Sequence, residues 1–110
     1  MDQSLKHLLQ FKTKDKLLQP RAFSLIGDIY CDQKKYLQAI KYYQKSIELY
    51  PDIDLNAQYI YKLALTYEAI KNYPLAIQNF KKIIKKFPSS IYYDEAKKHK
   101  YRLKTYIKNY

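Results

Sequence analysis

The chain has 110 residues, of which 47% are hydrophobic and 28% are charged, and its formal net charge is +11 at pH 7. This length suits one domain with a buried core and is too short for two. Glycine and proline are scarce and period-two alternation is absent, so the composition indicates an all-α fold. No apolar run approaches the roughly 20 residues that span a bilayer, and the first residues do not resemble a signal peptide. We expect a cytoplasmic protein if the chain is complete, and leave the location open if it is a fragment of an anchored protein.

Positive charge is concentrated toward the C-terminus. Residues 71–110 carry eleven Lys or Arg against two acids, whereas residues 1–70 carry ten against eight. Such a basic segment is typical of a nucleic-acid or anionic-membrane site. Only two of the 21 basic residues are Arg, however, and the chain is rich in Ile, Tyr and Asn, which share A/T-rich codons with Lys. Recognition of phosphates and bases favours the planar guanidinium of arginine. We therefore interpret the excess of lysine as a result of codon usage, on a surface that faces solvent. A nucleic-acid-associated protein that uses its Lys-rich C-terminal half is the alternative.

The first predicted element is an amphipathic helix over residues 1–13, with Leu5, Leu8 and Leu9 on one face. A turn follows at residues 13–15. The face formed by Leu5 and Leu9 lacks a natural cover in the sequence. We expect this face to pair with another copy of the chain or with another protein, unless residues upstream in a longer protein cover it.

The next two stretches, residues 20–51 and 57–88, are one unit written twice. A shift of 37 residues aligns them. The aligned pairs include Phe23 with Ile60, Ile26 with Leu63, Gly27 with Ala64, Tyr30 with Tyr67, Ala39 with Ala76, Tyr43 with Phe80, and Pro51 with Pro88. A fixed period of this size indicates stacked repeats, each of which buries its apolar face against a neighbour.

Each unit is predicted to be a hairpin of two helices, because its apolar residues recur at three- and four-residue steps on either side of a short turn. Gly27 costs a helix interior roughly 1 kcal/mol relative to Ala, so we interpret this sole glycine as a close contact between the two helices. In the second unit, Asp52 or Asp54 is the expected N-cap, and Pro74 is expected to begin the second helix.

The last predicted element is a capping helix over residues 89–108, with Ser89 or Ser90 as its N-cap. Asp94 and Glu95 fall in its first turn, where the helix dipole favours negative charge. Its inward stripe is predicted to consist of Tyr92, Ala96, His99, Leu103 and Tyr106. Lysines cover its other faces, as the solubility of a repeat stack requires.

Both units resemble tetratricopeptide repeats. The family pattern is matched by Phe23, Ile26, Gly27, Tyr30, Ala39, Tyr43 and Pro51, and again by Ile60, Leu63, Ala64, Tyr67, Ala76, Phe80 and Pro88. The resemblance implies an all-α helical stack, or α-solenoid, in a single domain over residues 1–110. Its parts would be a half repeat at 1–13, repeats at 18–51 and 55–88, and a capping helix at 89–108. It also implies a protein-interaction or scaffold module without catalysis.

A narrower resemblance lies in residues 22–30, which are similar to the repeat region of the bacterial ancillary subunit of the Sec translocon. That resemblance implies a bacterial protein that attends substrates leaving the translocon. The membrane helix of that family has no counterpart in this sequence, so its location is not carried over.

Residues for catalysis or metal binding are not grouped in the sequence. His7 and His99 lie far apart, and with Cys31 they lack the spacing of metal ligands. The single cysteine is interpreted as a small hydrophobe. The sequence therefore predicts no enzyme, no metal site and no cofactor.

A helical stack offers a concave surface lined by the first helix of each repeat. The predicted partner-binding residues on this surface are Arg21, Ser24, Asp28, Cys31, Gln58, Tyr61, Leu65 and Glu68. This mixture suits a partner peptide or helix with one apolar anchor and some charge. It does not match the Lys, Asn and Arg cluster with which some family members grip a terminal carboxylate. Under the alternative, nucleic-acid binding, the rings that would stack on single-stranded bases are those of Tyr59, Tyr92, Tyr93 and Tyr101.

Overall fold

The computed structural model describes residues 3–107, and these form six α-helices without a strand. The helices are α1 (Gln3–Gln10), α2 (Leu18–Asp32), α3 (Tyr36–Leu49), α4 (Asn56–Ala69), α5 (Tyr73–Lys86) and α6 (Tyr93–Lys104). The all-α prediction is confirmed. The predicted first two residues of the leading helix, and Lys108 at the end of the capping helix, lie outside the described residues.

The chain divides into two compact units, Met1–Ile53 and Asp54–Tyr110. Unit 1 contains α1, α2 and α3, and unit 2 contains α4, α5 and α6. Each unit therefore holds one of the two repeated hairpins, together with one additional helix. A single domain with the boundaries given above stays a prediction.

The core of unit 1 depends on a close approach between α2 and α3. Ile26 and Ala39 are fully buried, and the ring of Tyr43 lies directly over Gly27. A Cβ atom on Gly27 would lie 2.5 Å from Cε1 of Tyr43. The predicted role of the glycine as a helix–helix contact is confirmed, since any larger residue would overlap the tyrosine ring.

The leading helix differs from its prediction in length and in exposure. It ends at Gln10 instead of residue 13, and Gln19 on α2 braces the segment that follows. The Gln19 carboxamide accepts from the amide of Thr13 at 2.7 Å and donates to the carbonyl of Phe11 at 3.3 Å. Leu5 is only 2% exposed, because α1 packs on α2. Leu5 therefore does not belong to an uncovered face, whereas Leu9 is partly exposed, and self-association through the Leu5/Leu9 face stays a prediction.

The helix caps follow the sequence at some positions only. Asn72 caps α5 by accepting from the amide of Leu75 at 3.3 Å, and Pro74 lies in the first turn as predicted. At α4 no side chain caps the helix, so the assignment of Asp52 or Asp54 as N-cap is wrong. The turn before α2 contains a contact that was not anticipated, although Leu17, the N-cap of α2, makes no side-chain cap bond. One Asp15 oxygen accepts from the amides of Leu17 and Leu18 at 2.8 and 3.0 Å, and these bonds lower the pKa of that carboxyl.

In unit 2, α5 supplies the centre of the core, and α6 packs against it. Phe80 on α5 and Ala96 and Leu103 on α6 are fully buried. Neither Ser89 nor Ser90 caps α6; the Ser90 hydroxyl accepts from the amide of Tyr92, one residue before the helix, at 3.0 Å. Tyr106 was expected in the inward stripe, but it follows the end of α6, is more than half exposed and stacks on Tyr73 at 5.2 Å between ring centroids.

We predict that Gly27→Ala destabilises the protein by about 1–3 kcal/mol, the usual cost of overpacking a core. Alanine has the better helix propensity by roughly 1 kcal/mol, but its Cβ would overlap the ring of Tyr43, which is itself buried. Urea unfolding followed by circular dichroism measures the free energy of unfolding.

The control is Ala64→Gly at the aligned position of unit 2, which should cost about 1 kcal/mol through propensity and about 1 kcal/mol more through the loss of a buried methyl group. In a Tyr43→Leu background, which lacks the ring, Gly27→Ala should cost less than it does in the wild type. A Gly27→Ala protein as stable as wild type would contradict the contact.

Candidate partner-binding surface

Three of the four predicted binding residues on α2 are used inside unit 1. Ser24 is buried, so its side chain is not at the surface. The Tyr43 hydroxyl donates to Oδ1 of Asp28 at 2.6 Å and lies 3.6 Å from Sγ of Cys31. Burial, followed by the bond to Asp28, raises the pKa of Tyr43, which stays protonated as the donor. Of the four, Arg21 is the one with an exposed side chain.

On α4, Tyr61 lies within a cluster of rings contributed by α5 and by the segment that leads into α6. Its ring is 5.9 Å from Phe80 and 4.8 Å from Tyr92, measured between centroids. Its hydroxyl is 3.1 Å from Nε2 of His99. Tyr61 therefore attaches α6 to α4, and most of its ring is not open to a partner.

Glu68, the last of the predicted residues, belongs to the same attachment. The Nη2 group of Arg102 lies 2.9 Å from both carboxylate oxygens of Glu68 and 2.8 Å from Nδ1 of His99. Because a guanidinium only donates, Nδ1 must accept, which leaves the ring hydrogen on Nε2 facing the Tyr61 hydroxyl. The histidine is therefore held neutral. Burial, and then the charge of Arg102, lower the pKa of His99, while Glu68 and Glu95 act in the opposite direction.

Gln58 lies on an open part of α4 that the sequence analysis did not recognise as a cavity. Residues before and within the first turn of α4 face the loop that leads into α6, and between them is a cavity of about 340 Å³. It is lined by Asp54, Leu55, Ala57, Gln58, Ser90, Ile91 and Tyr92. Most of its walls are apolar, and Ile91 is 85% exposed.

A second cavity, of about 250 Å³, adjoins the first, because Asp54 and Ser90 line both. Its other walls are Lys86, Phe87, Pro88 and Ser89, at the end of α5. We call the two cavities together the unit 2 groove. Leu55, Phe87 and Ile91 were missed by sequence reasoning, because they lie between helices, where the helical spacing that identified the other residues does not apply.

Leu65 is partly exposed on α4, as expected of a contact residue. Tyr59, by contrast, is almost completely buried, so its ring is not available for stacking on a base. Tyr92 is partly buried, and its ring packs on Tyr61. Within residues 3–107, no group of three or more His, Cys, Asp or Glu is placed to hold a metal ion. No helix in that range is long and apolar enough to cross a membrane.

We predict that the stability of the protein falls as the pH drops below about 6.5, the ordinary pKa of histidine, through His99. The folded state binds this proton less readily than the unfolded chain, because the pKa is lowered on folding. The stability that comes from a neutral His99 is fully present above the pKa that this histidine has in the unfolded chain. It is lost as the pH falls through the lower pKa of the folded protein. In His99→Gln, the free energy of unfolding should depend less steeply on pH across this range than it does in the wild type.

The matched control is His7→Gln, since His7 is the other histidine and lies exposed on α1. This control should keep the wild-type dependence. The same slope in His99→Gln and wild type would show that the histidine is not held neutral by its neighbours.

The comparison with known families agrees with the geometry. A family model described as tetratricopeptide repeat matches residues 18–89, which contain α2 to α5 and thus both repeated hairpins. No curated protein matches the chain closely enough to serve as a relative. Because the family model covers well over half of the residues, the chain belongs to the tetratricopeptide repeat family.

Proposed function

We propose that this protein is an interaction module that binds an extended peptide segment of a partner protein in the unit 2 groove. Tetratricopeptide repeats generally mediate protein–protein interaction and scaffolding, and the family is a non-catalytic fold. The observation that carries the proposal is the pair of adjoining cavities beside a strongly exposed isoleucine.

The first cavity suits an apolar side chain of the partner. Its volume of about 340 Å³ falls at the lower end of the range of small-ligand sites. Leu55 is exposed by more than a third and Ile91 almost entirely, so apolar surface here faces water. Covering such surface removes it from solvent, at about 25 cal/mol per Å². An apolar anchor in this cavity would therefore supply much of the binding energy.

The second cavity suits the rest of an extended segment. In an extended chain, alternate side chains project to the same side, about 7 Å apart, which matches two cavities that share a wall. Asp54 and Lys86 line the second cavity and bring one charge of each sign to it. The rim is therefore polar while the first cavity is apolar, which is the common anatomy of a protein interface.

Of the residues predicted from the sequence, Gln58 belongs to this groove. Arg21 and Leu65 are exposed on α2 and α4 and stay predictions as further contacts. Tyr61 and Glu68 act indirectly in the proposal, since they hold α6 and the loop before it, which forms one wall of the groove.

We predict that Ile91→Asp abolishes the binding of peptides selected on the wild-type protein from a phage-displayed random library. The selected peptides should share a large apolar residue, because the first cavity is lined mainly by apolar groups. Affinities measured by fluorescence anisotropy on synthetic copies should fall more than about tenfold, which is about 1.4 kcal/mol.

The matched control is Leu37→Asp, which introduces the same charge at another strongly exposed apolar residue, 72% exposed, on α3 of unit 1. It should leave the affinity unchanged, and thermal unfolding should show that both variants fold. Peptides that bind Ile91→Asp as tightly as wild type, but lose affinity for Leu65→Asp or Arg21→Glu, would move the site to the faces of α2 and α4.

A further inference from the structure

One wall of the unit 2 groove is connected to His99 through two tyrosines. Tyr92 lines the first cavity, and its ring lies 4.8 Å from that of Tyr61, measured between centroids. The Tyr61 hydroxyl is 3.1 Å from Nε2 of His99, and the two rings meet edge to face. The position of the Tyr92 ring, and with it the shape of the first cavity, therefore depends on how His99 holds Tyr61.

The hydrogen bonds of His99 require a neutral ring. Nδ1 accepts from Arg102 at 2.8 Å, and the hydrogen on Nε2 is the one that faces the Tyr61 hydroxyl. A proton added at Nδ1 would occupy the lone pair to which Arg102 donates. It would also place a second positive charge next to the guanidinium, where like charges repel. His99 therefore cannot keep its contact with Arg102 in the protonated form.

A protonated His99 has another partner within reach. Oε1 of Glu68 lies 3.8 Å from Nδ1, so a small rotation of the ring would bring the two into hydrogen-bond distance. There the imidazole would compete with Arg102, which already donates to both oxygens of Glu68 at 2.9 Å. Because the imidazole is rigid, turning Nδ1 toward Glu68 also turns Nε2 away from the Tyr61 hydroxyl. Tyr61 then loses the contact that fixes this hydroxyl.

The groups around His99 keep its ring neutral at neutral pH. The titratable or charged groups that face it come from two helices, with Tyr61 and Glu68 on α4, and Glu95 and Arg102 on α6. From α5 it meets the uncharged ring of Phe80, stacked at 4.9 Å between centroids. Burial, and then Arg102, lower the pKa of His99 against the opposite action of the two carboxylates. Protonation therefore takes place below about 6.5, the ordinary pKa of histidine.

We propose that His99 is a pH-dependent switch for the unit 2 groove, in which protonation releases Tyr61 and the Tyr92 wall and so weakens peptide binding. This inference rests on the proposed function, because it concerns the regulation of that same site. It goes beyond the stability of the protein, since the quantity that changes is the affinity of the folded groove. By linkage, a peptide that needs the Tyr92 wall in place must also make His99 harder to protonate.

The test uses library-selected peptides that have blocked termini and contain no His, Asp or Glu, so that the probe itself does not titrate. Fluorescence anisotropy compares neutral pH with the lowest pH at which circular dichroism shows a fully folded protein. We expect the wild type to lose affinity about fivefold, at the low end of the usual coupling between two sites. His99→Gln should lose little, because its side chain does not titrate. Each protein is compared with itself at the two pH values, so a difference in affinity at neutral pH does not affect the result.

The matched control is His7→Gln, which removes the exposed histidine of α1 and should lose affinity in acid as the wild type does. A second measurement follows the imidazole signals of His99 by NMR during a pH titration. Saturating peptide should lower the pKa of His99, which a purely structural role of this residue would not produce.

Three results would overturn the inference. They are an equal loss of affinity in the wild type and His99→Gln, a wild-type affinity that is the same at both pH values, and a pKa of His99 that saturating peptide leaves unchanged. In each case binding that is sensitive to Ile91→Asp would leave the proposed function intact. Failure of the proposed function gives a different result, because the selected peptides would then be insensitive to Ile91→Asp at either pH.

Discussion

The close approach of Tyr43 to Gly27 is the contact on which unit 1 depends, and its counterpart in unit 2 shows what changes when it is altered. The aligned residues there are Phe80 and Ala64, so a Cβ is present and the hydroxyl is missing. The acceptor changes as well, because Asp28 aligns with Leu65. A buried hydroxyl needs a partner and a buried phenyl ring does not. The hydroxyl and its carboxylate thus occur together in one copy and are absent together from the other.

This difference determines how the first helix of each hairpin is used. In unit 1, Asp28 and Cys31 lie at the Tyr43 hydroxyl, which keeps them within the hairpin. In unit 2, Glu68 stands at the position of Cys31, and no tyrosine hydroxyl lies opposite, so the carboxylate binds Arg102 on α6 instead. The faces that a repeat could offer to a partner are thereby partly used by the chain itself. The open apolar surface of unit 2 lies at the helix ends, where loops commonly carry binding residues.

The sequence predicted the hairpins well because their helices are specified by periodicity and by small residues at fixed positions. The close contact at Gly27 could be inferred from the sequence, whereas its partner, the ring of Tyr43, could not. Burial between elements could not, since Leu5, Ser24 and Tyr59 are covered by neighbours whose orientation no local pattern specifies. The hydrogen bonds that Asp15 accepts before α2 depend on the backbone path of residues 15–18, and Asp54, an equally suitable residue type, does not cap α4. Ile91 was missed for a related reason, because loop residues follow no helical period.

The α6 helix combines a neutral inner face with a charged outer one, and the two are energetically linked. Ala96 and Leu103 hold the helix by burial, and His99 stacks on Phe80 without adding charge. Protonation of His99 would place a further positive charge 2.8 Å from the Arg102 guanidinium and would remove the lone pair that accepts its hydrogen bond. The same side chain stacks on Phe80 and meets the Tyr61 hydroxyl, so the neutral imidazole joins α6 to both α5 and α4. Acid should therefore weaken the attachment of α6 before it affects the buried contacts of Ala96 and Leu103, which carry no charge.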